Sequence, residues 1–503
     1  MTGIWTLTFI SSLDGTIVAT LISTIGSSLE SMQLSSWIGT AYLLSLCAFT
    51  PLYGRLANII GRRASVLFAG AIFGGGTILC GFSKNMAQLI AFRALAGIGG
   101  GGMTVVGSVI VSDSVPLKSR GLYQGFANLL FGLGGAVGAP FGGWLGDTIG
   151  WRAAFLCQSP FLVFGLFLLY LKVREPASVL ASAGSSISTK LKRIDYAGPA
   201  SLVSALATFL IGMNFKTTSG VVLALTFLLI ELKFAVEPVM PISMLKRRTP
   251  GFVALNNFLL SVLSFSTVYN TPLYFTAARL RSSANAGSHL IPNSASVACG
   301  SLFAGWYMRR TGRYWKLQAF AGLCVVAANC VLSSWNADTP ELVLYTTLIP
   351  SGFGFSTTLT TTLLALIASV PREDIPLATG ISYLFRTMGQ VLGVALSSAL
   401  TQTLLARNLR SRIVREGAND IISKILASTA YIHTLPADLQ EMAMTSWALA
   451  LRTVFRCQIV LAVFLFLSAL PIEEHSLPDT VAAAPVKQTA VPVERDAEAA
   501  RSW

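Results

Sequence analysis

Residues 54–63 read Gly54-Arg55-Leu-Ala-Asn58-Ile-Ile-Gly61-Arg62-Arg63, directly after a long apolar run. The glycines allow a tight turn between two helices. The arginines hold that turn at a membrane interface, where they meet helix ends or acids. The pattern has an echo: after a later apolar run the chain reads Gly305-Trp-Tyr-Met-Arg309-Arg310-Thr-Gly312-Arg313. A glycine near a helix end and then a basic turn, met twice, points to a chain built from related halves.

Working outward, composition demands a membrane. Of 503 residues, 53% are apolar and only 12% charged, and the mean hydropathy is +0.65. Soluble domains carry about 25% charged residues. The net charge of +14 does not mark a nucleic-acid binder, because the basic residues sit in short clusters between apolar runs, as the positive-inside rule expects. The seven cysteines show no metal-ligand spacing and fall in or beside apolar runs, which makes them small hydrophobes. The three histidines (His289, His433 and His475) are scattered. No nucleophile–base pairing, metal-ligand cluster or phosphate loop appears, so no enzyme, cofactor or metal site is expected.

A span takes about 20 mostly apolar residues. That window gives fourteen: 4–25, 36–55, 65–83, 87–111, 122–146, 153–172, 195–213, 219–236, 251–275, 288–308, 317–334, 341–368, 377–404 and 447–470. The first opens the chain and holds an acid, Asp14; spans follow at once, so it is an anchor and not a cleaved signal. Even-numbered spans lead into basic loops: Arg62 and Arg63, Lys118 and Arg120, Lys190 to Arg193, Lys246 to Arg248, and Arg309 to Lys316. This places both termini in the cytoplasm. The stretch 405–446, with Arg407, Arg410, Arg412 and Arg415, is an exception whose length weakens it as an orientation signal. The expected organisation is a bundle over 1–172, a cytoplasmic linker over 173–194 and a two-helix insert over 195–236. A second bundle over 250–470 then carries a non-cytoplasmic loop at 405–446, and a disordered cytoplasmic tail covers 471–503.

Several polar residues stand out inside the spans. Asp14 is the only acid deep in an apolar run, and an intramembrane carboxylate is a functional-site candidate. Arg93 opens Arg93-Ala-Leu-Ala-Gly97-Ile-Gly-Gly-Gly-Gly102; it faces a cavity or partner, or else reaches the outer interface. The fifth span carries Gly132, Gly134, Gly135, Gly138, Pro140, Gly142 and Gly143. Small residues let helices approach closely and proline allows a bend. Tyr269, Asn270, Tyr383 and Arg386 lie in later spans, lining a cavity or bonding helix to helix.

These segments resemble the signatures of the major facilitator superfamily. The 54–63 stretch is similar to its loop signature Gly-x-Leu-Ala-Asp-x-x-Gly-Arg-Arg, with Asn58 in place of the usual Asp. The resemblance implies a gating latch from Arg62 to Asp113, weakened by Asn58. The Arg93 segment resembles a signature linked to proton coupling. The fifth span resembles the antiporter signature Gly-x-x-x-Gly-Pro-x-x-Gly-Gly, with Ala139-Pro140 at its centre. Leu13-Asp14-Gly15-Thr16-Ile17-Val18-Ala19 resembles the first-helix signature of the fourteen-helix drug:proton antiporter branch. Within that branch, Ser36-Trp37-Ile-Gly-Thr-Ala-Tyr42, Asp113-Ser-Val-Pro116 and Gly150-Trp151-Arg152-Ala-Ala-Phe155 look like the fungal vacuolar basic amino acid transporters.

The fold this implies is an all-α polytopic membrane protein: the major facilitator fold of two six-helix bundles, with a two-helix insert. The function it implies is a monomeric proton-coupled carrier in a lipid bilayer. Its partners are protons and a small-molecule substrate, a basic amino acid or a cationic drug, with no nucleic acid. A vacuolar membrane fits the first substrate and the plasma membrane the second. A nutrient sensor on the same fold is a third alternative, disfavoured by the short tail.

Overall fold

The computed structural model describes residues 1–114, 117–173, 242–336, 338–371, 375–414 and 417–475, and they are helical throughout apart from turns and short connections. The helices are α1 Thr2–Ser28, α2 Ser36–Ile59, α3 Arg62–Gly81, α4 Met86–Ser114, α5 Leu117–Thr148, α6 Trp151–Leu156 and α7 Ser159–Lys172. After the linker come α8 Arg248–Leu273, α9 Ser283–Ser288, α10 Ile291–Thr311, α11 Trp315–Ser333, α12 Glu341–Thr346, α13 Ile349–Ser369, α14 Ile375–Arg412, α15 Ala418–Ala427 and α16 Ala437–Ala469. A π-helical turn, Tyr274–Ala278, extends α8.

Among the described residues, 10 helical segments are long and apolar enough to cross a membrane. The more polar α10, of 21 residues, has the length as well. The predicted spans 195–213 and 219–236, and most of the 173–194 linker, lie outside the described residues. Two boundaries shift by eight residues or more. Helix α14 runs on to Arg412 instead of ending at 404, and α16 starts at Ala437 instead of 447. A window tuned to apolar runs cannot see helical turns that leave the hydrocarbon. The tail also starts ordered. The basic turns supply donors that fasten it: Arg248 Nε donates to the Pro471 carbonyl at 3.0 Å, and the Tyr314 hydroxyl donates to the Glu473 carbonyl at 2.6 Å.

Packing divides the helices into two groups. In the first, α2 and α3 pack on α4, and α1 packs on α5 and α7. In the second, α8 packs on α14 and α16, α10 on α13, and α11 on α13 and α16. The groups meet through α5 with α9 and α10, through α2 with α14, and through α1 with α8. Helix α1 is the most enclosed span, with 72% of its apolar window buried, against 33% for Trp151–Lys172. Core burial thus centres on the helix that carries Asp14, while α7 turns Phe161, Phe164 and Phe167 outward, as a lipid-facing helix does. Of the cysteines, Cys47 and Cys80 are buried, whereas Cys299, Cys330 and Cys457 lie on outer faces.

The echoed turns resolve into one device. Gly61 precedes α3 with φ of 96°, and Gly312 follows α10 with φ of 67°. Both sit in the region that side chains with a Cβ avoid. The second glycine of each motif, not the first, is therefore the one the backbone requires.

Candidate functional site

Asp14 and Arg93 meet in the interior. Arg93 Nη1 donates to both carboxylate oxygens of Asp14, at 2.9 and 3.1 Å, and neither side chain has any exposed surface. Arg93 therefore does not reach an interface. Its guanidinium lies over the Tyr42 ring, 4.3 Å from the centroid, and its Nε points to the Ile38 carbonyl at 3.4 Å. Among the described residues, Arg93 Nη2 and the Tyr42 hydroxyl find no hydrogen-bond partner. A buried pair of this kind meets a large desolvation cost with its mutual attraction and hydrogen bonds, and an unmet donor beside it is costly in hydrocarbon.

Small residues bring the carrying helices together. In α5, Gly134, Gly138 and Gly142 recur every fourth residue and face α1. A Cβ at Gly138 would stand 2.7 Å from the Leu13 carbonyl oxygen, and one at Gly142 would stand 3.0 Å from the Ile17 Cα. Another α5 face, with Gly132, Gly135 and Gly143, meets Ser294 and the start of α9 in the second group. Pro140 lies within α5, which continues through it as one helix. The glycine-rich stretch of α4 serves α2 in the same way, since a Cβ at Gly100 would stand 2.6 Å from the Tyr42 hydroxyl.

The second group approaches this pair through Tyr269. Tyr269 of α8 is buried against α2, its hydroxyl 2.5 Å from where a Cβ on Gly39 would stand. Asn270 points elsewhere: its Nδ2 donates to the Ser266 carbonyl at 2.8 Å and to Ser397 Oγ at 2.9 Å, tying α8 to α14. Tyr383 and Arg386 form their own pair, the guanidinium 5.9 Å from the ring centroid. So the structure brings together Asp14, Arg93 and Tyr269, and sets Asn270, Tyr383 and Arg386 apart from them. Tyr42 was missed as a site residue; its stretch was singled out only for its likeness to other chains, and nothing in the local pattern says which tyrosine lies under a guanidinium.

At the basic turn, Arg62 Nη1 donates to the Ala57 carbonyl at 2.9 Å, and Arg63 lies over the Tyr170 ring at 4.2 Å. The side chains of Arg55, Asn58 and Asp113 lie outside the described ones, so the expected latch does too. The opposite end shows what joins the two groups there. Asp147, at the end of α5, accepts from the backbone nitrogens of Ser283 and Ala284 at 3.3 and 2.9 Å. A carboxylate at a helix N-terminus is favoured by the free N–H groups and the helix dipole. Thr24 bonds Ser283 at 2.8 Å, and Ser27 bonds Thr429 at 2.8 Å.

Behind this contact His289 is fully buried, stacked between Phe275 (3.8 Å) and Tyr345 (3.9 Å). Its Nδ1 bonds the Asn285 carbonyl at 2.8 Å, and its Nε2 lies 3.5 Å from Glu341 Oε2, itself bonded to Arg281 through Oε1.

The sequence model described as Major Facilitator Superfamily matches residues 4–402. A multidrug resistance protein, fnx1, of Schizosaccharomyces pombe is 38% identical over 496 residues, covering 95% of this chain and 93% of that one. Vacuolar basic amino acid transporter 2 of Saccharomyces cerevisiae is 30% identical over 444 residues, covering 83% and 93%. Among solved structures, the bacterial homolog of the human lysosomal transporter Spinster, inward-facing and occupied, aligns with a TM-score of 0.65 at 14% identity. That alignment covers 93% of this chain and 95% of that one, and it speaks to the fold alone.

Proposed function

Because the chain belongs to the major facilitator superfamily, we propose that this membrane transporter couples proton movement to uptake of basic amino acids into a vacuole by alternating access. The observation that carries the reading is the fully buried Asp14–Arg93 pair beside Tyr269, where the two helical groups touch. A carboxylate held by two bonds from one guanidinium must part from it to hold a proton. Parting leaves Arg93 with more unmet donors, in addition to Nη2, so proton loading and rearrangement at the interface are linked. A cationic substrate side chain competes with Arg93 for the same carboxylate. The basic turns face the cytoplasm in this reading, and the contacts of Asp147, Thr24 and Ser27 close the vacuolar side. The basic amino acid substrate and the vacuolar address rest on the yeast relative.

Labelled lysine offered to ATP-energised vacuolar vesicles tests this. Uptake is expected to collapse with a protonophore, and Asp14→Asn to abolish pH-driven uptake while the protein still inserts. Wild-type uptake by Asp14→Asn would sink the assignment. The multidrug relative supports a second reading, a plasma-membrane exporter of cationic drugs. In that case the vesicles take up no lysine, deletion alters drug tolerance, and a tagged copy lies at the cell surface.

A further inference from the structure

Helix α14 carries another cation inside a span, with a different environment. Arg386 lies eight residues into the segment Ala378–Arg412, about 12 Å along the axis. It is half-buried. Unlike Arg93 it has no acid: among the described residues its one neighbour of note is the Tyr383 ring. A lone guanidinium at this depth is costly unless something anionic visits it.

Its surroundings are polar and also unmet. Gln390, one turn on and on the same face of α14, is buried, and among the described residues its amide has no hydrogen-bond partner. Ser261 of α8 lies across from Gly389, where a Cβ would stand 2.9 Å from the Ser261 Cβ, and its buried hydroxyl has no partner among the described residues. One turn in the other direction, by contrast, the groups satisfy one another: Asn257 Nδ2 donates to Ser382 Oγ at 2.7 Å and Thr362 donates to Asn257 Oδ1 at 3.1 Å. The neighbouring residue Thr387 touches Cys47 of α2 at 3.1 Å, so this level of α14 lies at the contact between the two groups.

We propose that Arg386, with Gln390 and Ser261, is an anion subsite that takes the carboxylate of the transported solute. Guanidinium, amide and hydroxyl together supply the donors that two carboxylate oxygens accept. The substrate is then a zwitterion or an acid, and a cation without a carboxylate meets an unpaired positive charge here. This rests on the proposed transport role and sharpens it, because it separates basic amino acids from cationic drugs.

The test measures uptake of lysine and of cadaverine, the same diamine without the carboxylate, by the full chain in proteoliposomes. The wild type is expected to favour lysine by about tenfold to a hundredfold in KM, the scale of a charge-assisted hydrogen bond. Arg386→Gln should bring that ratio near one, with Arg386→Lys between. An Arg386→Gln protein that keeps the wild-type ratio overturns the subsite. If the wild type moves no lysine, arginine or histidine, the basic amino acid reading fails and a binding panel decides the subsite. Thermal stabilisation of the purified full chain is then compared for each common amino acid and its carboxamide. Acids that outperform their amides in the wild type and in Arg386→Lys, but not in Arg386→Gln, sustain the subsite. Equal effects of acid and amide on the wild type overturn it.

Discussion

Two arginines in comparable settings show how much a single partner decides. Arg93 has Asp14 and no exposed surface; Arg386, among the described residues, has only a ring and stays half-buried. Removing one member of a buried pair strands the other charge and costs about 3–5 kcal/mol, whereas replacing both by neutral groups is far milder. Arg93→Gln is therefore expected to lower the melting temperature in detergent more than Asp14→Asn with Arg93→Gln together. A double variant that melts lower than Arg93→Gln alone would contradict the coupling. Sequence alone marked both members of the pair, because a charge in an apolar run is conspicuous. It could not show that they meet, since they are 79 residues apart and only packing joins α1 to α4. Tyr42 and Gly39 were invisible as site residues for the same reason: an aromatic or a glycine in an apolar run has no distinguishing mark until its neighbour is known.

Helices and turns were the most legible level, since span length and glycine spacing follow from bilayer thickness and helical pitch. What escaped was polar structure built into short elements, such as the cap that Asp147 places on α9 and the cage around His289. The cage has a pH consequence. Burial pushes His289 below its ordinary 6.5, outweighing the Asn285 carbonyl bond and Glu341, which pull upward, while Arg279 adds to the lowering. An unfolded chain thus takes up this proton before the folded one does. The stability that the neutral ring carries is complete above 6.5 and drains away as pH falls through the lowered folded value. Melting temperature should accordingly fall further on acidification from neutral pH to pH 5 in the wild type than in His289→Phe, which keeps the stack without the titration. An equal fall in both would show that the folded ring titrates where the unfolded one does, and would overturn the lowering.

At the scale of the whole molecule, two groups of helices share a closely packed interface along α5, with polar clasps at the end away from the basic turns. Alternating access requires those clasps to open. Asp147→Ala removes the acceptor for two backbone nitrogens, and the balance is expected to tip toward the state open at that end. A cysteine placed at Thr24, in a background without the native ones, should then react several-fold faster with an impermeant maleimide. Unchanged labelling would mean that the remaining clasp, Ser27–Thr429, suffices to hold the end shut.

The separation of Asp14 from Arg93 also bears on how the protein is made. Helix α1 leaves the ribosome before α4, and 79 residues separate Asp14 from Arg93, about 4–16 s at ordinary synthesis rates. During that interval an acid occupies a would-be lipid-facing helix with no counter-ion, at an insertion cost of about 2.5–3.5 kcal/mol. Asparagine at position 14 crosses the same interval uncharged, so α1 of that variant should insert at least as well as the parent's. A glutamine at position 93 extends the acid's isolation from seconds to the lifetime of the chain, and quality control, not transport, becomes the first place its loss is felt.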